Sequence, residues 1–178
     1  MNSDASINML NEKKLISLID KKGFEFELYS HEPLFTVEES IKYRGTIKGS
    51  HSKNLFLKNK KKQFFLFSCL ENTRIDLKKL SKSLDLGNLS FANEHYLYTY
   101  LGVKPGAVTP FGLLNDMDNK VMFFFDSKFY KNKIVNFHPL SNTSTIGLNV
   151  DDFVSFLIEN NLSCFQGLRK KGDRGPPK

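Results

Sequence analysis

The chain has 178 residues and a formal net charge of +7, with seventeen Phe and no Trp. That length suits one domain around a phenylalanine-rich core, no apolar run is long enough for a membrane span, and the first residues lack the basic-then-apolar order of a secretory signal. Residues 167–178 hold five Lys/Arg and one Asp, which leaves 21 against 18, or +3, on residues 1–166, so a nucleic-acid partner is permitted but not demanded.

Leu10, Leu15, Leu18 and Ile19 recur at helical spacing over residues 8–22, and Gly23 follows as a stop. Phe24 to Tyr29 alternates with period two and predicts a strand with one wet face, broken by His31-Glu-Pro33. Thr36 and Glu39 have capping-box spacing and predict a short helix from about Val37 to Tyr43. Leu55-Phe-Leu57 and Gln63 to Cys69 flank Asn59-Lys-Lys-Lys62, a buried hairpin with a polar tip and with Lys53 at its mouth. Asp76 caps a helix through Leu77, Leu80 and Leu84, and Leu89 to Phe91 reads as a short strand. Asn93 caps a helix from Glu94 to Leu101 that Gly102 closes. Phe111 to Leu114 and Val121 to Phe125 flank Asn115 to Asn119 as a second hairpin. Lys133 to Phe137 and Thr143 to Leu148 are further strands, and Asp151 to Asn160 is a last amphipathic helix.

Helices and hairpins without regular alternation predict an α+β domain, a mixed, largely antiparallel sheet flanked by helices. The domain spans residues 1–166. Residues 167–178 read as a disordered basic tail or an expression remnant, since they lack apolar periodicity and end Gly-Pro-Pro-Lys. Cys69 and Cys164 lie far apart in apolar runs, which predicts buried free thiols and a reducing, cytoplasmic setting.

Neither His31, His51, His95 and His138 nor the two cysteines show metal-binding spacing, and there is no P-loop or Gly-x-Ser-x-Gly elbow. Three polar-to-apolar junctions remain: His51 to Asn54, Lys104 to Pro110 and His138 to Thr145. Each lies where a strand begins or ends, so they can meet along one rim of the sheet. A held lysine serves phosphate binding or oxyanion stabilisation, although Lys53 also fits a plain surface lysine. The Pro-Gly loop can present backbone groups at fixed positions or be an ordinary rigid turn, and His138 can be a site residue or a packed, hydrogen-bonded one. Residue chemistry by itself reaches as far as a cleft with Lys, His and Thr/Asn groups.

Gly49 to Lys58, Leu101 to Leu113 and Asn136 to Thr145, together with His31 to Glu39 and Leu89 to Ala92, resemble the signature blocks of the YbaK-like aminoacyl-tRNA deacylases. Within that family the match is to the free-standing, ProX-type prolyl-tRNA editing proteins, which resemble the editing domain of prolyl-tRNA synthetase. The blocks run in order from about residue 8 to 166.

The resemblance implies hydrolysis of the ester of mischarged Ala-tRNA(Pro), in support of translation fidelity. Deacylation of tRNA carrying Cys or Ser, and a non-catalytic tRNA- or synthetase-binding module, are the alternatives. It implies catalytic roles for Lys53 and His138. Substrate contacts fall to His51, Asn54, Gly106, Thr109, Pro110, Asn142, Thr143 and Thr145. No metal or organic cofactor is expected. The partners it implies are the tRNA(Pro) acceptor end and prolyl-tRNA synthetase, with no membrane.

Overall fold

A computed structural model describes residues 9–33 and 47–160, and the backbone of 165–168. The helix expected at 37–43, Cys164 and the segment from residue 169 lie outside the described residues. Helix α1 (Glu12–Lys21) starts where the Asn11 side chain accepts from the Lys14 amide, and it buries Leu15 and Ile19 completely. Strand β1 (Phe26–Ser30) follows, then β2 (Ser50–Lys58) and β3 (Phe64–Leu70) as an antiparallel hairpin. Helix α2 (Leu77–Leu84) is capped by Asp76, whose carboxylate accepts from the Lys78 and Lys79 amides. After the two-residue strand β4 (Ser90–Phe91), helix α3 (Glu94–Leu101) runs from an Asn93 cap to Gly102. Strands β5 (Val121–Asp126), β6 (Ile134–Phe137) and β7 (Ser144–Asn149) precede helix α4 (Val150–Glu159) and strand β8 (Phe165–Leu168).

The sheet order is β1-β7-β6-β2-β3-β5-β8, with β4 paired to β2 off this path. The pairs β1·β7, β6·β7, β2·β3 and β2·β4 are antiparallel; β2·β6, β3·β5 and β5·β8 are parallel. The α+β class with a mixed sheet is therefore as expected. On one face, α1, α3, α4 and two 3-10 turns bury a large cluster that includes Phe56, Leu66, Phe111, Phe125, Phe137 and Phe153. On the other, α2 covers a small cluster of Leu57, Phe65, Phe67 and Phe124.

The second hairpin is not formed. Pro110–Asn115 is a 3-10 turn, because Thr109 accepts from the Phe111 amide and Pro110 supplies a φ suited to the first helical position. Strand β5 instead lies between the parallel strands β3 and β8. Its near-continuous apolar run, Val-Met-Phe-Phe-Phe, is what a strand covered on both faces carries. Two boundaries also move. Strand β2 begins at Ser50, so Lys53 sits inside a nine-residue strand, and β8 extends to Leu168, past Gln166.

One irregularity prepares the site. Strand β6 pairs with β2 only at Ser50 and His51, and β4 takes the same edge only at Leu57 and Lys58. Between them the β2 edge has no strand partner among the described residues.

Candidate functional site

Within this stretch of β2, the Pro-Gly loop is reached by the side chain of Asn54. Asn54 faces the large cluster, opposite Ser68, whose hydroxyl donates to Asn54 Oδ1 at 2.6 Å. The amide nitrogen Nδ2 of Asn54 donates to the Val108 carbonyl at 3.0 Å and so ties the loop to the strand. Within the loop, the Ala107 amide donates to Lys104 O at 3.1 Å, and Gly106 has φ 88°. Pro105 before a positive-φ Gly106 is the pattern of a type II turn. A Cβ on Gly106 would lie 3.5 Å from Asn142 Nδ2, so the loop meets the segment after β6.

Adjacent strand residues point to opposite faces. Lys53 therefore lies across from Asn54's side, opposite Cys69 and on the face that α2 covers in part. Its ammonium donates to the Thr73 carbonyl in the loop after β3. Three donors belong to an ammonium, and Thr73 takes one. Burial pushes the Cys69 thiol up to about 11, while the neighbouring Lys53 charge pulls it down. A thiol in that state is neutral at physiological pH and a poor nucleophile.

The two histidines near β7 have their protons placed by carbonyl partners. His138 Nδ1 lies 2.8 Å from Ser144 O, and His31 Nδ1 lies 2.9 Å from Glu32 O. A carbonyl only accepts, so Nδ1 is the protonated nitrogen in both, and in the neutral rings Nε2 carries the lone pair. For His31 that lone pair faces the Thr145 hydroxyl at 3.0 Å. The two rings stand 6.0 Å apart, centre to centre.

Thr145 is buried and pairs with Tyr29; Ile146 and Leu148 of the same strand point into the large cluster. By alternation Thr145 shares its face of the sheet with Asn136, its pairing partner His51, and Lys53. His51 Nε2 lies 3.3 Å from Ile47 O, and Asn136 donates to Lys48 O at 2.9 Å. A polar stripe thus runs across three strands, β7, β6 and β2, from Thr145 to Lys53.

The structure brings together Thr145 and His138 through His31, and Gly106 with Asn142. It sets His51 and Lys53 on the same face as Thr145. Thr143 is exposed, with its hydroxyl 2.7 Å from Ser141 Oγ. Thr109 and Pro110 are buried, and their groups start the 3-10 turn; like Asn54 they hold the loop. His31 was not among the residues singled out. Its signal was present: continuing the β1 alternation from Glu27 and Tyr29 puts position 31 on the face of Thr145.

A family model described as the aminoacyl-tRNA editing domain matches residues 31–156. A Bos taurus protein named prolyl-tRNA synthetase associated domain-containing protein 1 is 42 % identical over 158 residues, covering 86 % of this chain and 90 % of that protein. The prolyl-tRNA editing protein ProX of Acetoanaerobium sticklandii is 33 % identical over 155 residues, covering 86 % and 94 %. A crystal structure described as a candidate trans-editing enzyme for prolyl tRNA synthetase has a TM-score of 0.66 at 16 % identity. It covers 90 % of this chain and 96 % of that one, a likeness of fold. The match over residues 31–156 and relatives along most of the length make this chain a member of the aminoacyl-tRNA editing domain family.

Proposed function

We propose that the protein hydrolyses the ester of a mischarged aminoacyl-tRNA, with alanine on tRNA(Pro) as its substrate. The observation that carries this reading is the polar stripe on one face of the sheet, together with a Pro-Gly loop whose Gly106 approaches Asn142 after β6, in a chain of the editing family. Such an activity answers a limit of binding: a pocket built for proline rejects a smaller amino acid by only ~1–3 kcal/mol, so a second site must remove the error.

In the reaction a water oxygen bonds to the ester carbonyl carbon, the carbon–ribose oxygen bond breaks, and the ribose oxygen leaves with a proton. An activated ester needs positioning and charge stabilisation more than a strong base. Lys53 is assigned to the terminal phosphate or to the developing oxyanion. His138, with Nδ1 held by Ser144 O, is assigned to positioning the substrate or the attacking water. The loop around Gly106 holds the α-amino group, with Thr109 and Pro110 fixing its shape and Asn54 anchoring it. His51, Asn142, Thr143 and Thr145 bound the pocket. The acceptor end of tRNA(Pro), and prolyl-tRNA synthetase beside it, are the partners in a cytoplasmic setting, and no step calls for a cofactor.

A deacylation panel over tRNAs mischarged with Ala, Cys and Ser, alongside Pro-tRNA(Pro), tests the proposal. Ala-tRNA(Pro) is expected to be cleared fastest. Lys53→Ala is expected to lose about 10²–10³ in rate, the cost of deleting one oxyanion donor. Faster loss of Cys or Ser reassigns the substrate, and tRNA binding without turnover makes the protein a binding module. Full activity in Lys53→Ala overturns the role of that lysine.

A further inference from the structure

The hairpin tip and α2 carry a charge imbalance that the ester site does not use. Residues 58–90 hold eight Lys/Arg against three acidic residues, or +5, while the rest of residues 1–166 holds 13 against 15, or −2. The mild +3 of the globular part therefore hides one basic surface on a slightly acidic body.

Folding gathers these charges. Lys60, Lys61 and Lys62 are exposed at the β2–β3 tip. The tip is held rigid by Asn59, which is buried. Its Oδ1 accepts from the Lys61 and Gln63 amides at 3.0 and 3.1 Å. Its Nδ2 donates to Gln63 Oε1 at 2.7 Å and to Leu86 O at 2.8 Å, which ties the tip to the turn after α2. Helix α2 lays Leu77, Leu80 and Leu84 on the small cluster and leaves Lys78, Lys79 and Lys82 exposed. No acidic residue occurs within α2. Phe91 pairs with Leu57, and so shares this face of the sheet; it is 62 % exposed. The end of β2 at Lys58, where the tip begins, lies about 17 Å along the strand from Lys53, taking five residues at about 3.4 Å each.

We infer that the Lys60–Lys62 tip, the outer face of α2 and Phe91 form the surface that holds the tRNA strand leading to the ester site. Ordered lysines neutralise phosphates and release counterions, and an exposed aromatic ring beside them stacks an unpaired base. The inference rests on the proposed tRNA substrate, but it concerns binding and is tested separately from turnover.

The test is equilibrium binding of tRNA(Pro) over a salt series. The variants are Lys60→Ala/Lys61→Ala/Lys62→Ala at the tip, Lys78→Ala/Lys79→Ala/Lys82→Ala on α2, Phe91→Ala, and the exposed control Lys13→Ala/Lys14→Ala/Lys21→Ala on α1. The tip and α2 variants are each expected to raise Kd at least tenfold. Each should also flatten the log Kd against log salt slope by about 2, near 0.7–0.9 per lost phosphate contact. Phe91→Ala is expected to raise Kd several-fold with its slope kept, and the control to bind like the parent. Parent-like binding by both the tip and α2 variants overturns the inference, as does an equal loss in the control. Loss of binding to phosphatidylserine vesicles with tRNA affinity retained also overturns it, in favour of a membrane. If no mischarged tRNA is hydrolysed yet tip and α2 lysines still govern tRNA affinity, the deacylase proposal falls and this one stands.

Discussion

Single side chains in this protein are ruled by burial before charge. Cys69 is almost fully enclosed, and its thiol is pushed up to about 11 by that enclosure. Because the folded form then holds its proton more tightly than the unfolded chain, stability falls as pH rises from about 9 to about 11. Two pKa units correspond to roughly 2–3 kcal/mol. Urea midpoints measured across that interval should decline in the parent and decline less in Cys69→Ala. Asp116 shows the same physics in a carboxyl. Burial raises its pKa first, and the Lys120 and Val121 amides offset part of the rise. The folded state keeps this proton longer, so the group's contribution to stability falls as pH rises through the usual carboxylate range. Asp116→Asn should flatten that slope while keeping an acceptor for the Val121 amide, which Asp116 Oδ2 now meets at 2.6 Å. Asp116→Ala strands that buried amide and should cost about 1–3 kcal/mol in chemical denaturation.

At the scale of elements, the termini of helices were legible because their chemistry is local. Asp76 and Asn93 satisfy first-turn amides of their own helices, and Gly102 adopts φ 66° to close α3. Asp76→Ala should therefore lower stability by about 1 kcal/mol. Gly102→Ala should cost more. A Cβ there would fall 2.5 Å from Asn115 Nδ2, the amide that bonds Leu101 O at 3.0 Å and docks the 3-10 turn against α3. Thermal melts of the two variants side by side should show Gly102→Ala as the less stable. The second hairpin failed for a non-local reason. Periodicity showed that Val121 to Phe125 was a strand, but its partners β3 and β8 lie far along the chain.

For the molecule as a whole, two opposed hydrophobic clusters make the sheet a wall with different work on each side. The large cluster stabilises it, while the other face carries α2 and the polar stripe. Among the described residues no helix is long and apolar enough to cross a membrane. Phe125, at the centre of the large cluster with no exposure, reads out that stability; Phe125→Ala should cost about 3–5 kcal/mol and unfold the sheet cooperatively.

Sequence by itself determined the caps, the first hairpin, the α+β class and the blocks that place the chain in its family. Each of these depends on neighbours in the chain or on residue order. Tertiary structure decided that Lys53 and Asn54, adjacent in sequence, serve opposite faces of the sheet. It decided that His31 joins Thr145 and His138, and that Thr109 and Pro110 support the loop from inside. It also gathered the tip and α2 lysines into one surface. Pairing register and the packing of distant elements set those relations, and no local pattern encodes them.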